Sequence, residues 1–282
     1  MAKNKKTQII TGFNQGQYGD LFLQLTPAKL CKILYPDVRF IFSINKKYKE
    51  AIKVLSLSED IDGFIVWDGY NDWPTQSDKE KIADLQAHSS QLTIFNPMQT
   101  HTVLDWYNYW HITEEACVMH GLPRPTPELM DFKLNRPNLE KENTVCISVC
   151  ASGLVKSLRK EQIQVIKEFC DQKNLKLIQI GGPSDPPVEG VEKFNGDYSE
   201  SVFKVLKSRF LVSADTGMVW AASAFSHYVL GIYCMDSELN AKGHKNWTPK
   251  NKNQQTIVAQ SMGDIRKEVL EKHLEEVYTK SK

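Results

Sequence analysis

Short apolar runs alternate along this chain with longer stretches in which apolar residues recur every three or four positions. Brief apolar runs bounded by turn residues read as buried strands, and the longer period reads as amphipathic helix. In the first half the pattern predicts strands over 7–13, 38–44, 63–67 and 92–95, and helices over 21–34, 48–55, 79–87 and 103–119. In the second half, predicted strands at 144–150, 175–180, 210–212 and 228–233 are separated by helices at 161–171, 199–207 and 221–225. A last helix over 265–278 carries Val269, Leu270, Leu274 and Val277 on one stripe. Such alternation predicts mainly parallel sheets covered by helices on both faces.

The alternation breaks once. The segment GLPRPTP at 121–127 holds three prolines, and Pro137 follows just before a charged Glu-Lys-Glu. Proline removes a donor and stiffens the chain, so this stretch reads as an interdomain connection, with domains over 1–138 and 139–282. The 282 residues suffice for two such domains. Hydrophobic residues at 41% and charged residues at 24% place the chain among soluble globular proteins. A net charge of +1 supplies no general attraction to nucleic acid or acidic membranes.

No apolar run reaches the ~20 residues that a membrane span needs, and the basic start leads into a strand-like segment rather than a signal peptide. Six scattered cysteines without a C-x-x-C pair read as reduced thiols, so a cytoplasmic protein is expected.

The candidate chemistry sits in turns that follow strands. In the first half, GFNQGQYGD at 12–20 links strand to helix, with Asp20 where the helix begins, as a functional carboxylate or an N-cap. Its glycines are not spaced as G-x-G-x-x-G, so nothing favours a dinucleotide cofactor. In the second half three turns each follow a strand: CASGLVK at 150–156, GGPSD at 181–185 and DTGM at 215–218. Open α/β sheets bind ligands at the C-terminal ends of their strands, so three such turns point to a phosphate-bearing ligand. Asp215 would repel a diphosphate and is expected to turn back onto the N–H groups of its own turn. That leaves the Thr216 hydroxyl and the Gly217 and Met218 N–H groups facing the ligand, with Lys156 supplying positive charge.

These residues carry a family resemblance. Gly19-Asp20, Thr26-Pro27, Leu30 and Tyr35-Pro36 resemble the opening motif of glycosyltransferase family nine, the lipopolysaccharide heptosyltransferase-like enzymes. Asp215-Thr216-Gly217 followed by Ala221, Ala222 and Ala224 resembles the best-marked motif of that family's second domain. The resemblance implies an α/β fold of GT-B form, two Rossmann-like domains facing across a cleft. The first would be the acceptor side and the second would hold the nucleotide sugar.

The resemblance also implies Asp20 as catalytic base, with Ser152, Lys156, Asp215, Thr216, Gly217 and Met218 around the donor and Asp185 near the ribose or nucleobase. Trp220 stands where the family usually has histidine, and Ser157-Leu158-Arg159 where it often has a tryptophan-proline pair. Trp220 is expected to line the pocket as an apolar wall or stacking surface.

The expected function is therefore a metal-independent, inverting glycosyltransferase. It would move a sugar from a nucleotide-diphosphate donor, a co-substrate rather than a cofactor, to the hydroxyl of a saccharide or other acceptor. Two alternatives stand beside it. One is the same chemistry on a modified nucleic-acid base, with the basic segment 242–252 as docking surface. The other is a nucleotide-sugar-binding protein without catalysis. Trp106, Tyr107, Tyr109 and Trp110 suit sugar stacking or, more simply, helix packing. His101, His111 and His120 lack metal-ligand spacing, and Asp60-Ile61-Asp62 imitates the metal-binding D-x-D of other glycosyltransferases.

Overall fold

A computed structural model describes residues 9–14, 18–68, 91–95, 112–119, 121–131, 133–151, 156–234 and 248–282. Its contacts divide the chain into two compact units, Met1–Leu134 and Asn135–Lys282. The division falls inside the proline-bearing break. Leu122, Met130 and Leu134, which flank the prolines, are each 8% exposed or less.

The described strands of the first unit are β1 (Ile9–Asn14), β2 (Arg39–Asn45), β3 (Gly63–Trp67) and β4 (Gln91–Phe95), in the order β3-β2-β1-β4 with every pairing parallel. The helix predicted over 21–34 is instead two, α1 (Tyr18–Phe22) and α2 (Leu25–Leu34). Pro27 is the reason. It has no N–H to donate to the Leu23 carbonyl, so it is accommodated only where a helix restarts.

The segment 48–55 likewise starts as a 3-10 helix (Lys46–Ala51), capped by Asn45 accepting from the Lys47 N–H at 2.9 Å. It becomes α-helical only in α3 (Ile52–Leu55). The helices α4 (Ile112–Met119) and α5 (Pro127–Met130) complete the described part of the unit. The helix expected at 79–87 and the first part of that at 103–119 lie outside the described residues, as do Trp106, Tyr107, Tyr109, Trp110, His101, His111 and His120.

The second unit runs β5 (Thr144–Ser148), α6 (Lys160–Gln172), β6 (Lys176–Gln179), β7 (Glu192–Lys193), α7 (Tyr198–Lys207), β8 (Phe210–Ala214), α8 (Gly217–Ala224), β9 (Val229–Cys234), β10 (Gln254–Ala259) and α9 (Lys267–Ser281). Its six strands lie in the order β10-β9-β8-β5-β6-β7, all parallel. Counted from β5 as the first strand, this is the Rossmann order 3-2-1-4-5-6.

β5, β8 and β9 are buried along their whole lengths, as central strands covered on both faces must be. On one face Val165, Ile166 and Phe169 of α6 meet Leu270, Leu274 and Val277 of α9 in a single cluster, so the last helix packs on its own unit.

One buried ionisable group has a measurable consequence. His227 is 0% exposed, and the Nη2 of Arg136 stands 3.3 Å from its Nδ1 while the Ser208 hydroxyl is 3.4 Å from its Nε2. Burial, then Lys141 and Arg136, hold its pKa well below the usual histidine value. The folded chain keeps His227 neutral, whereas the unfolded chain protonates it below about pH 6.5.

The unfolded state therefore binds the extra proton, and stability falls as pH drops below about 6.5, by at most ~1.4 kcal/mol per pH unit. The urea midpoint is expected to fall between pH 7 and pH 5, with a shallower fall in His227→Gln. Equal slopes in the two proteins would show that this histidine does not set the dependence.

Candidate functional site

The topology of the second sheet decides where a ligand fits. Chain connections reverse direction between β5 and β8, the topological switch point at which open α/β sheets bind ligands. The turn after β5 carries Lys156, and the turn after β8 carries Asp215, Thr216 and Gly217. The turn after β6, with Gly181 to Asp185, lies on the next strand over. The three turns singled out in the sequence thus stand side by side at one sheet edge. Ser152 lies outside the described residues.

Lys156 and Asp215 form an ion pair at the switch point, Nζ to Oδ2 3.5 Å, both half-exposed. A pair this open to water adds little stability. Its effect is local: it balances the carboxylate beside the turn and sets a cation at the switch point.

The hydrogen bonding of the DTGM turn differs from the sequence expectation. Asp215 does not cap its own turn. Thr216 is the N-cap, in extended backbone (φ −132°, ψ 163°), and its hydroxyl oxygen accepts from the Met218 N–H at 3.3 Å. Asp215 precedes the N-cap by one residue, and its carboxylate is paired with Lys156 instead. The Thr216 hydroxyl and the Met218 N–H are therefore engaged with each other rather than facing a ligand.

The Gly217 N–H, first in the helix, has no acceptor among the described residues. Gly217 is not among the described glycines with positive φ, which are Gly121 and Gly190, so backbone strain does not require glycine there.

Asp185 is also held by its own loop. Its Oδ2 accepts from the Gly182 N–H at 2.8 Å, and its backbone N–H donates to the Gly182 carbonyl at 3.1 Å. A Cβ on Gly181 would collide with that carboxylate, which is why a glycine stands there. Trp220, one turn into α8, is only 8% exposed and lies mostly within the fold.

Beneath α8, the Tyr233 ring lies back over Gly231, where a Cβ would come within 2.8 Å of the ring. The Tyr233 hydroxyl accepts from Gln254 Nε2 at 3.2 Å, and the Ser223 hydroxyl of α8 donates to Gln254 Oε1 at 3.2 Å. Helix α8 is thus tied to the edge strand β10. Burial, then Asp215, raise the Tyr233 pKa and keep the phenol neutral.

In the first unit Asp20 is the third residue of α1, in the helix that follows the central strand β1. It is half-exposed and inside the helix, so it is not the N-cap. Asp62 of the D-x-D imitation has its carboxylate committed: Oδ2 accepts from Lys32 Nζ at 2.5 Å and from the Phe40 N–H at 2.6 Å. Among the described residues no group of three or more His, Cys, Asp or Glu side chains is placed to hold a metal. Of the segment 242–252, residues 242–247 lie outside the described residues. No described helix is long and apolar enough to cross a membrane.

No protein-family model matches the sequence, and no curated protein sequence matches it. Solved structures do. The glycosyl transferase family 9 structure from Veillonella parvula superposes with a TM-score of 0.73 over 97% of each chain, at 11% identity. This chain has the fold of glycosyltransferase family nine.

The E. coli ADP-heptose lipopolysaccharide heptosyltransferase II gives a TM-score of 0.70 over 97% of this chain and 99% of its own, at 13% identity. The E. coli heptosyltransferase WaaC with ADP gives 0.67 over 96% and 100%, at 12% identity. The likeness covers both units, so the family-nine fold accounts for the two parallel sheets and for the order of their strands.

Two features of the site had no clear mark in the sequence. The capping role of Thr216 was hidden because Asp215, an equally good capping type, stands next to it. Tyr198 was missed altogether. It opens α7 after a capping box of Asp197 and Glu200, and its hydroxyl donates to the Gly217 carbonyl at 3.3 Å. The Asp-x-x-Glu pattern of a helix start at 197–200 says nothing about which distant carbonyl a tyrosine reaches.

Proposed function

We propose that this protein is an inverting glycosyltransferase that takes a sugar from a nucleoside-diphosphate donor. The observation that carries the reading is the whole-length family-nine fold, shared with a heptosyltransferase described with ADP, combined with Lys156 and the DTGM turn at the switch point.

In this reading the diphosphate lies against the start of α8. The Gly217 N–H and the positive end of the helix meet its oxygens, and Lys156 leaves Asp215 to neutralise the charge that grows as the leaving group departs. Ser152, in the turn that follows β5 in sequence, is assigned to the same group. Asp185 and the turn it braces border the ribose, and Trp220 is an apolar backing to the pocket rather than a stacking surface. Asp20 accepts the proton of the acceptor hydroxyl as that oxygen attacks the anomeric carbon. The carbon–oxygen bond to the diphosphate breaks on the opposite face, which inverts the configuration.

The chemistry needs no metal in this scheme, since Lys156 and backbone donors replace it, and activity in the presence of EDTA tests that point. The six cysteines are all unpaired, which suits a reducing compartment such as the cytoplasm.

A thermal-shift panel of ADP, UDP, GDP and dTDP, with their sugar conjugates, tests the reading. At a hundredfold excess over Kd, a ligand of the folded state adds about 2.7 kcal/mol of apparent stability. One nucleotide is expected to raise the melting temperature, and its sugar conjugate to raise it further. No response to any of them would reject the proposal. Binding without transfer to any saccharide acceptor would favour a binding protein instead.

A further inference from the structure

The DTGM turn poses a mechanical problem. Gly217 has to offer its N–H to an anion, yet glycine is the residue least able to hold its own peptides in place. The hydrogen bonds around it answer this. The Ser213 hydroxyl donates to the Ala214 carbonyl at 2.8 Å, so the 3.0 Å contact between Ser213 and Thr216 is made with the Thr216 hydrogen. Thr216 then accepts from the Met218 N–H at 3.3 Å. The carbonyl of that same Gly217–Met218 peptide accepts from the Tyr198 hydroxyl at 3.3 Å. The peptide following Gly217 is therefore held at both ends, by Thr216 on its nitrogen and by Tyr198 on its oxygen.

Tyr198 belongs to a different helix from the turn. It is the first residue of α7, whose start is set by Asp197 and Glu200 capping each other, with Glu200 N–H to Asp197 Oδ1 at 2.8 Å and Asp197 N–H to Glu200 Oε2 at 2.8 Å. The anchor is thus rigid at its base.

We propose that Tyr198 is a positioning residue for the donor site: its hydroxyl fixes the Gly217–Met218 peptide while the Val219 N–H holds the Thr216 carbonyl at 3.1 Å, so both peptides flanking Gly217 are restrained and its N–H is aimed at the diphosphate. This rests on the reading of the site given above. It predicts an effect confined to the phosphate-bearing part of the ligand, because Tyr198 acts through the turn and not through the sugar or base.

The test is isothermal titration of wild type and Tyr198→Phe with the tightest of ADP, UDP, GDP and dTDP, with its parent nucleoside, and with inorganic pyrophosphate. Loss of one neutral hydrogen bond corresponds to about a fivefold change. Tyr198→Phe is expected to raise Kd for the nucleoside diphosphate and for pyrophosphate by about that factor. The nucleoside affinity should stay where it is, and the melting temperature should fall by no more than the few degrees that one hydrogen bond is worth.

Thr216→Val, which frees the other end of the peptide, should show the same selective loss, and Thr216→Ser should restore it. In the double variant Tyr198→Phe with Thr216→Val the combined loss should be smaller than the product of the two, because both act on one peptide. If wild type binds no nucleoside diphosphate, the donor-site reading itself fails. If wild type binds and Tyr198→Phe binds equally well, or loses nucleoside affinity to the same degree, the positioning role is overturned and the donor site stands. Should Tyr198→Phe fail to fold, a Thr216→Val affinity equal to wild type would overturn the proposal in the same way.

Discussion

Asp20→Asn is expected to reduce sugar transfer by about 100- to 10,000-fold while leaving nucleotide affinity within a factor of two, the range that a positioned general base contributes. The substitution keeps the shape of the side chain and removes only its ability to hold a proton. Asp20 is the third residue of α1, where a carboxylate gains about 0.3–1 kcal/mol from the helix dipole that the neutral amide gives up, and the thermal melt reads the whole structural cost of the change.

The measurement is release of the nucleoside diphosphate from the donor, under saturating donor and acceptor, beside a titration of the product nucleotide and a thermal melt. A collapse of kcat with an unchanged Kd assigns the base. Retained turnover would return Asp20 to the role of a helix-start acid, and parallel loss of binding and turnover would make it structural.

Gly217→Ala separates two meanings of the DTGM turn. Gly217 is the first residue of α8 and does not have a left-handed φ, so alanine meets no backbone strain there. Alanine exceeds glycine in helix propensity by up to about 1 kcal/mol, so the unfolding midpoint should hold or rise. If the turn cradles a diphosphate, the added methyl group keeps the oxygens from the Gly217 N–H. Affinity should then fall by about 1–3 kcal/mol, tenfold or more, for the groups left unpaired. Opposite signs in stability and binding are the signature. An alanine variant that is more stable and binds as well as wild type would reduce the turn to a helix cap.

Much of this was legible in the residues themselves. Short apolar runs separated by amphipathic stretches specify parallel strands with helical crossovers, because a strand buried on both faces must be largely apolar. β5, β8 and β9 are buried along their whole length and are apolar apart from Thr144, Ser148, Ser213 and the Tyr233 hydroxyl. The turns 150–156, 181–185 and 215–218 stood out because each follows such a strand directly. The buried face of α9 was written in the stripe of Leu270, Leu274 and Val277, while its partner α6 was not. The break of the 21–34 helix was present too, in Pro27, whose missing donor is a local fact.

What the tertiary structure decided is which of these local features meet. Strand order is a long-range property, and only the β5–β8 pairing puts Lys156 beside Asp215 and makes the space between them the switch point. The choice of Thr216 over Asp215 as cap depended on where the helix starts, by one residue, and propensity does not resolve single residues at helix ends. Trp220 read as a pocket wall from its place in the motif, but the packing of α8 against its neighbours leaves it 8% exposed. Tyr198 and Gly217 are nineteen residues apart in sequence and join only because α7 and α8 begin at the same sheet edge. Local chemistry names the residues able to bind an anion. The fold determines which of their donors are already used and which remain.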